Sequence, residues 1–174
     1  KFGLLTGATS FVPSNLWGIS SSLKKLLPEV GIQLFSLPLM LNKNFEQSIS
    51  MLSEIGYSYL EFFGPYYFSS PSVKDTWKKY SFFPKSDNPF SGFYGNSGKE
   101  VKSILSNYKM KSPSIHTDLE TLENHMGELA SGAQECGAKY VILPSIPSDQ
   151  RQNLDQYKKM ADRFNTIGEA AKKE

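Results

Sequence analysis

From residue 30 onward, short apolar runs alternate with stretches in which apolar residues recur every three or four positions. The runs predict strands at Val30–Leu37, Tyr57–Gly64, Ser112–Thr117 and Ala138–Ser145, the last being the clearest. The spaced stretches predict helices between and after them. In the first, Phe45, Ile49, Leu52 and Ile55 share one face, Asn44 with Gln47 caps the start, and Gly56 ends it. In the second, Ser97 with Glu100 forms a capping box ahead of Val101, Ile104 and Leu105. A third, continuous helix opens at a Thr117–Glu120 box and carries Leu119, Leu122, Met126, Leu129 and Ala133. The fourth, capped by Asn153 with Gln156, turns Tyr157, Ala161, Phe164 and Ile167 inward.

Strand and helix thus alternate four times. That rhythm implies parallel strands joined by right-handed crossovers, in an α/β fold. Strands apolar on both faces suit a helix-covered sheet. A doubly wound sheet and a (β/α) barrel both fit. One segment breaks the rhythm. Residues 65–96, rich in Tyr, Phe, Pro, Gly and Ser, separate the second strand from its helix. Loops this long inside a domain are usually functional or disordered, and this one follows a strand's C-terminal end, where α/β proteins bind ligands. It is either a cover for a site or an insertion with an apolar cluster of its own.

Composition narrows the classes. With 174 residues and 39% hydrophobic content, the chain can build one sizeable core. A net charge of +2 without a basic block gives no nucleic-acid footprint. The single cysteine, Cys136, excludes an internal disulfide and reads as a buried small apolar residue. Residues 1–28 carry a lysine, an apolar run rich in small residues and then Pro13, like the remnant of an export signal, and point to an exported or periplasmic protein, with the cytoplasm as the alternative. The run is too short to span a bilayer. The domain is placed at 29–174.

Candidate chemistry lies at the C-terminal ends of the strands. Gln33 lies in the first. Glu61 alternates with Leu60 and Phe62 in the second, so it faces away from them, and a carboxylate there needs a partner or a task. His116 closes the third, suited to holding a substrate hydroxyl or moving a proton, and shares a face with Glu61. Pro144 and Ser145 end the fourth. Glu123 and His125 look like metal ligands but stand two apart on a predicted helix, so they diverge onto its solvated face. The chain contains no phosphate-binding glycine loop, dinucleotide fingerprint, HExxH or CxxC.

The segments GIQLFSL, EIGYSYLEFFG, SPSIHTDLETLENH and CGAKYVILPSIP, in this order and spacing, resemble the sugar phosphate isomerase/epimerase family of xylose isomerase-like TIM barrels. The resemblance runs from about Val30 to Glu174. It implies a (β/α)8 barrel of which this chain holds about the first four units, and it makes Gln33, Phe35, Glu61, Phe63, His116 and Pro144 substrate-binding residues. The implied activity is metal-assisted proton transfer next to the carbonyl of a small-molecule sugar. In the family the divalent metal is held from the later strands, so no ligand is assigned in this chain. Two other classes stay open: a lyase or hydrolase of keto-glycosides, and a non-catalytic sugar-binding half-barrel. A half-barrel has two open sheet edges, so a homo-oligomer is expected.

Overall fold

The computed structural model describes residues 29–80 and 92–174. The proposed export remnant at 1–28 lies outside the described residues, as does part of the aromatic insertion. Four strands, β1 (Val30–Gln33), β2 (Tyr57–Phe62), β3 (Lys111–His116) and β4 (Tyr140–Ile142), form one sheet in the order β1-β2-β3-β4, every neighbouring pair parallel. The helices are α1 (Pro38–Lys43), α2 (Phe45–Ile55), α3 (Pro71–Trp77), α4 (Gly98–Asn107), α5 (Leu119–Asn124), α6 (Met126–Cys136) and α7 (Leu154–Ala171). Sequential strand order with crossovers of one hand puts the connecting helices on one side of the sheet. That is how a barrel is wound, whereas a doubly wound sheet reverses its order at a switch point.

Local chemistry explains most boundaries. Asn44 and Asn153 each accept a hydrogen bond from the backbone N–H three residues on, at 3.0 Å, starting α2 and α7. Ser97 and Glu100 form the reciprocal capping box of α4. Gly56 and Gly137, at φ +114° and +87°, close α2 and α6 in the left-handed conformation that glycine adopts without strain. Leu60, Phe62 and Ile115 point from the strands into a core completed by Ile49 and Leu52 of α2, Val101 and Leu105 of α4, and Leu129 of α6.

Several elements differ from the sequence expectation. β1 stops at Gln33, because the Gln33 side chain accepts from the Phe35 N–H and turns residues 34–36 into a 3-10 helix. α1 follows, with Pro38 in its first turn. β2 ends at Phe62, and β4 is three residues long. Ile55 is 71% exposed rather than inward. The third helix breaks at His125 into α5 and α6. Its cap is Asp118, whose carboxylate accepts from the Thr121 N–H, and not Thr117 with Glu120. On α7 the buried side is marked by Met160, 2% exposed, while Tyr157 and Phe164 are exposed. Two apolar stripes run along that helix, and the one holding Met160 faces the core, where Ile167 also packs. Arg163, on the same helix, donates to both carboxylate oxygens of Glu123 at 2.7 Å. Glu123 is exposed, as the sequence led one to expect, and is also tied to α7 by this pair.

The described part of the insertion contributes to the core. Tyr66, Phe68 and Phe93 are buried, with Tyr66 stacked on Phe68 at 4.9 Å and Phe93 edge-on to Phe62 at 5.6 Å. Gly132 of α6 is where Phe68 seats: a Cβ there would lie 2.5 Å from the Phe68 ring.

Candidate functional site

Strand register assembles the polar cluster. Gln33 pairs with Glu61, and Glu61 with Ser114, so the three form a row across β1, β2 and β3. His116 follows Ser114 by two residues and shares its face. Glu61 accepts from the Ser114 hydroxyl on Oε2, and its Oε1 lies 2.7 Å from His116 Nε2. On the other side of the ring, Gln33 Nε2 is 3.3 Å from His116 Nδ1. The Gln33 oxygen already accepts from the Phe35 N–H at 2.6 Å, so its amide nitrogen faces the imidazole. That fixes the tautomer: Nε2 carries the proton and donates to Glu61, and Nδ1 presents a lone pair.

A cleft of about 540 Å³ opens at this end of the sheet. Its polar lining residues are Gln33, His116, Thr117, Asp118 and Ser145. Its apolar lining residues are Phe35, Phe63, Trp77, Leu119, Leu143, Pro144 and Pro147. Phe35 packs edge-on to Phe63 at 5.2 Å, and Trp77 lies 5.9 Å from Phe63. Glu61 is not among the lining residues. It sits behind His116, as an orienting carboxylate sits behind a base.

The structure brings Gln33, Phe35, Phe63, His116 and Pro144 to one cleft and places Glu61 against it. Phe35 stands on the turn after β1 rather than within a strand. Ser114, Trp77, Asp118 and Thr117 were not legible as site residues. Ser114 would have needed the register, and Trp77 the course of the insertion. Thr117, 5% exposed, lines the cleft with a buried hydroxyl that has no hydrogen-bond partner. His125 lies 3.8 Å from Glu128, at the break between α5 and α6.

A metal does not fit these residues. Among the described residues no group of three His, Cys, Asp or Glu side chains is placed to hold a metal ion. Among them, too, no helix is long and apolar enough to cross a membrane.

No protein-family model matches the sequence, and no curated protein matches it either. Solved structures do. The chain is similar to a sugar phosphate isomerase/epimerase from Parabacteroides distasonis, with a TM-score of 0.58 and 22% identity over 83% of this chain and 48% of that one. A second structure of that description, from the same organism, gives 0.55 and 18% identity, covering 83% of this chain and 50% of that one. The chain thus spans about half the length of the structures it matches. With its four parallel βα units, it has the fold of the sugar phosphate isomerase/epimerase structures over about half of their length.

Proposed function

We propose that this chain supplies the substrate-binding wall and a proton-transfer base of a sugar isomerase or epimerase. The observation that carries the reading is the Glu61–His116–Gln33 arrangement at the mouth of the cleft. His116 Nδ1 is held by a single long contact from Gln33. A substrate that displaces this amide brings the C–H next to its carbonyl to Nδ1; the base takes that proton, the C–H electron pair passes into the enediolate, and return of the proton to carbon completes the step. Glu61 stabilises the imidazolium that forms, and Ser114 keeps the carboxylate in place. A proton moved in this way, at or beside the carbon next to a carbonyl, is the elementary step of aldose–ketose isomerisation and of epimerisation. The fold shared with sugar phosphate isomerase/epimerase structures agrees with this chemistry. The divalent metal that the sequence resemblance implies finds no ligand set among the described residues, and no step above runs through one.

A second reading draws on the apolar side of the cleft. A lyase or hydrolase of keto-glycosides uses the same proton abstraction and then expels an aglycone, which Phe35, Phe63 and Trp77 would receive. Product analysis separates the two: an isomerase returns a sugar of unchanged mass, whereas a lyase or hydrolase releases the aglycone. For either, His116→Ala should lower turnover by about 10²–10⁴-fold, the range of a lost general base. Glu61→Gln should lower kcat with little change in KM. Full activity in both variants would refute the assignment.

A further inference from the structure

We propose that the Thr117 hydroxyl is a further catalytic donor: it binds the carbonyl oxygen of the substrate and stabilises the negative charge that gathers there when His116 takes the neighbouring proton. This deepens the proton-transfer reading and rests on it. The observation behind it is a buried hydroxyl that the fold does not use. Thr117 is 5% exposed, lines the cleft, and its Oγ1 has no hydrogen-bond partner. Its backbone is fixed, since the Thr117 N–H donates to the Ile142 carbonyl at 2.9 Å and ties the end of β3 to β4. Leaving a buried hydroxyl unpaired is costly. Valine has the same branched shape and would fill the place without that cost. The oxygen therefore needs a task outside the fold.

The chemistry of the cleft supplies one. Taking a proton from the carbon beside a carbonyl sends the C–H electron pair into a new C–C double bond, and the carbonyl π pair moves onto oxygen. That oxygen needs a hydrogen-bond donor. The other polar lining residues are committed elsewhere. His116 donates to Glu61 and receives the proton, and the Gln33 amide nitrogen faces the imidazole and is the group that the substrate displaces. Asp118 is a carboxylate whose oxygens accept from the Thr121 N–H and hydroxyl at 2.7 Å, and Ser145 is exposed to water. Thr117 follows His116 directly, with α-carbons about 3.8 Å apart, so base and donor are close enough to serve neighbouring atoms of one substrate. Staggered alternatives of χ1 let the hydroxyl turn to a bound oxygen.

Two measurements on the intact chain test it together. Thermal unfolding reads the fold. Thr117→Val should melt on the order of 3 °C above the parent, because an unpaired buried hydroxyl is removed at constant shape, and Thr117→Ser should show no such gain. Deuterium uptake from deuterated water beside the carbonyl of D-fructose, D-tagatose and D-xylulose reads the chemistry. Thr117→Val should exchange about 10²-fold more slowly than the parent, the loss expected from removing one donor to a developing oxyanion. Thr117→Ser keeps the hydroxyl and should retain most of the rate. A melting temperature unchanged or lowered in Thr117→Val would mean that the oxygen already has a partner in the fold, and would overturn the inference whatever the exchange. Exchange undiminished in Thr117→Val, or lost equally in Thr117→Ser, would overturn it and leave His116 as the base. No exchange by the parent protein with any of the three ketoses would remove the proton-transfer reading and this inference with it.

Discussion

Gly132→Ala measures how firmly the aromatic insertion is seated on the helices. Gly132 lies inside α6, where alanine ordinarily gains about 1 kcal/mol over glycine. Here the added methyl would stand 2.5 Å from Phe68 Cε1 and 3.1 Å from Cζ. The ring cannot swing aside freely, because Phe68 is buried and stacked on Tyr66 at 4.9 Å. Forcing a methyl into a packed site costs about 1–3 kcal/mol. The net expectation is a loss of about 0–2 kcal/mol. Gly168 is the control: it lies inside α7, and a Cβ there meets nothing within 4 Å. Gly168→Ala should therefore gain about 0.5–1 kcal/mol. At about 2–4 °C per kcal/mol for a chain of this size, Gly132→Ala should melt on the order of 5 °C below Gly168→Ala. Thermal unfolding followed by circular dichroism reads the difference. In a double-mutant cycle with Phe68→Leu, Gly132→Ala should cost less than it does alone. Equal melting of the two alanine variants would mean that Phe68 does not pack on α6, and the position of Trp77 would lose its support.

The Glu123–Arg163 pair gives a pH dependence. The Arg163 hydrogen bonds hold the Glu123 carboxyl below its usual range. A depressed carboxylate contributes stability above its unfolded pKa and loses it as pH falls through the folded one. Both side chains are partly exposed, at 29% and 38%, so solvent screening limits the contribution to about 0.5–1 kcal/mol. Glu123→Gln should thus be less stable than the parent near pH 7, with the gap starting to shrink below about pH 4.3, the ordinary glutamate value, and closing only below the lowered folded one, as read by urea unfolding at each pH; a gap that persists below that would count against the pair. The outer edges of β1 and β4, which pair with no further strand among the described residues, predict self-association of this chain. Tyr140 and Ile142 on β4 are exposed, as is Val30 on β1, and the outer side of α7 presents Leu154, Tyr157 and Phe164. Light scattering should show a concentration-dependent rise in mass, lowered by Tyr140→Lys, whereas a monodisperse monomer at all concentrations would contradict it.

Much of the scaffold was legible because local signals agreed with the global fold. The caps at Asn44, Ser97 and Asn153 and the stop at Gly56 are local chemistry, and strand–helix alternation set the fold class. The failures came where a contact distant in sequence decides. On α7, two apolar stripes lie side by side, and periodicity alone does not show which of them meets the preceding helices. At His125 the helical period runs on unbroken although the backbone turns. Asp118 outranks Thr117 as a cap through geometry that both residue types allow. In the site, Gln33, Glu61 and His116 were visible as polar residues at strand ends. Their hydrogen-bond order was not, because it depends on register and on the Gln33 oxygen being held by the Phe35 N–H. Trp77 was hidden inside the insertion, where no periodicity marks its direction.

The claim at the centre of this account is that His116, backed by Glu61, moves a proton next to a sugar carbonyl. Deuterium exchange tests it most directly. The protein is incubated in deuterated water with a panel of ketoses, aldoses and keto-glycosides, and incorporation at the carbon beside the carbonyl is followed by NMR. The account predicts incorporation into at least one of them, abolished by His116→Ala and slowed by Glu61→Gln. Exchange that persists undiminished in His116→Ala, or no exchange with any of the panel, would contradict it.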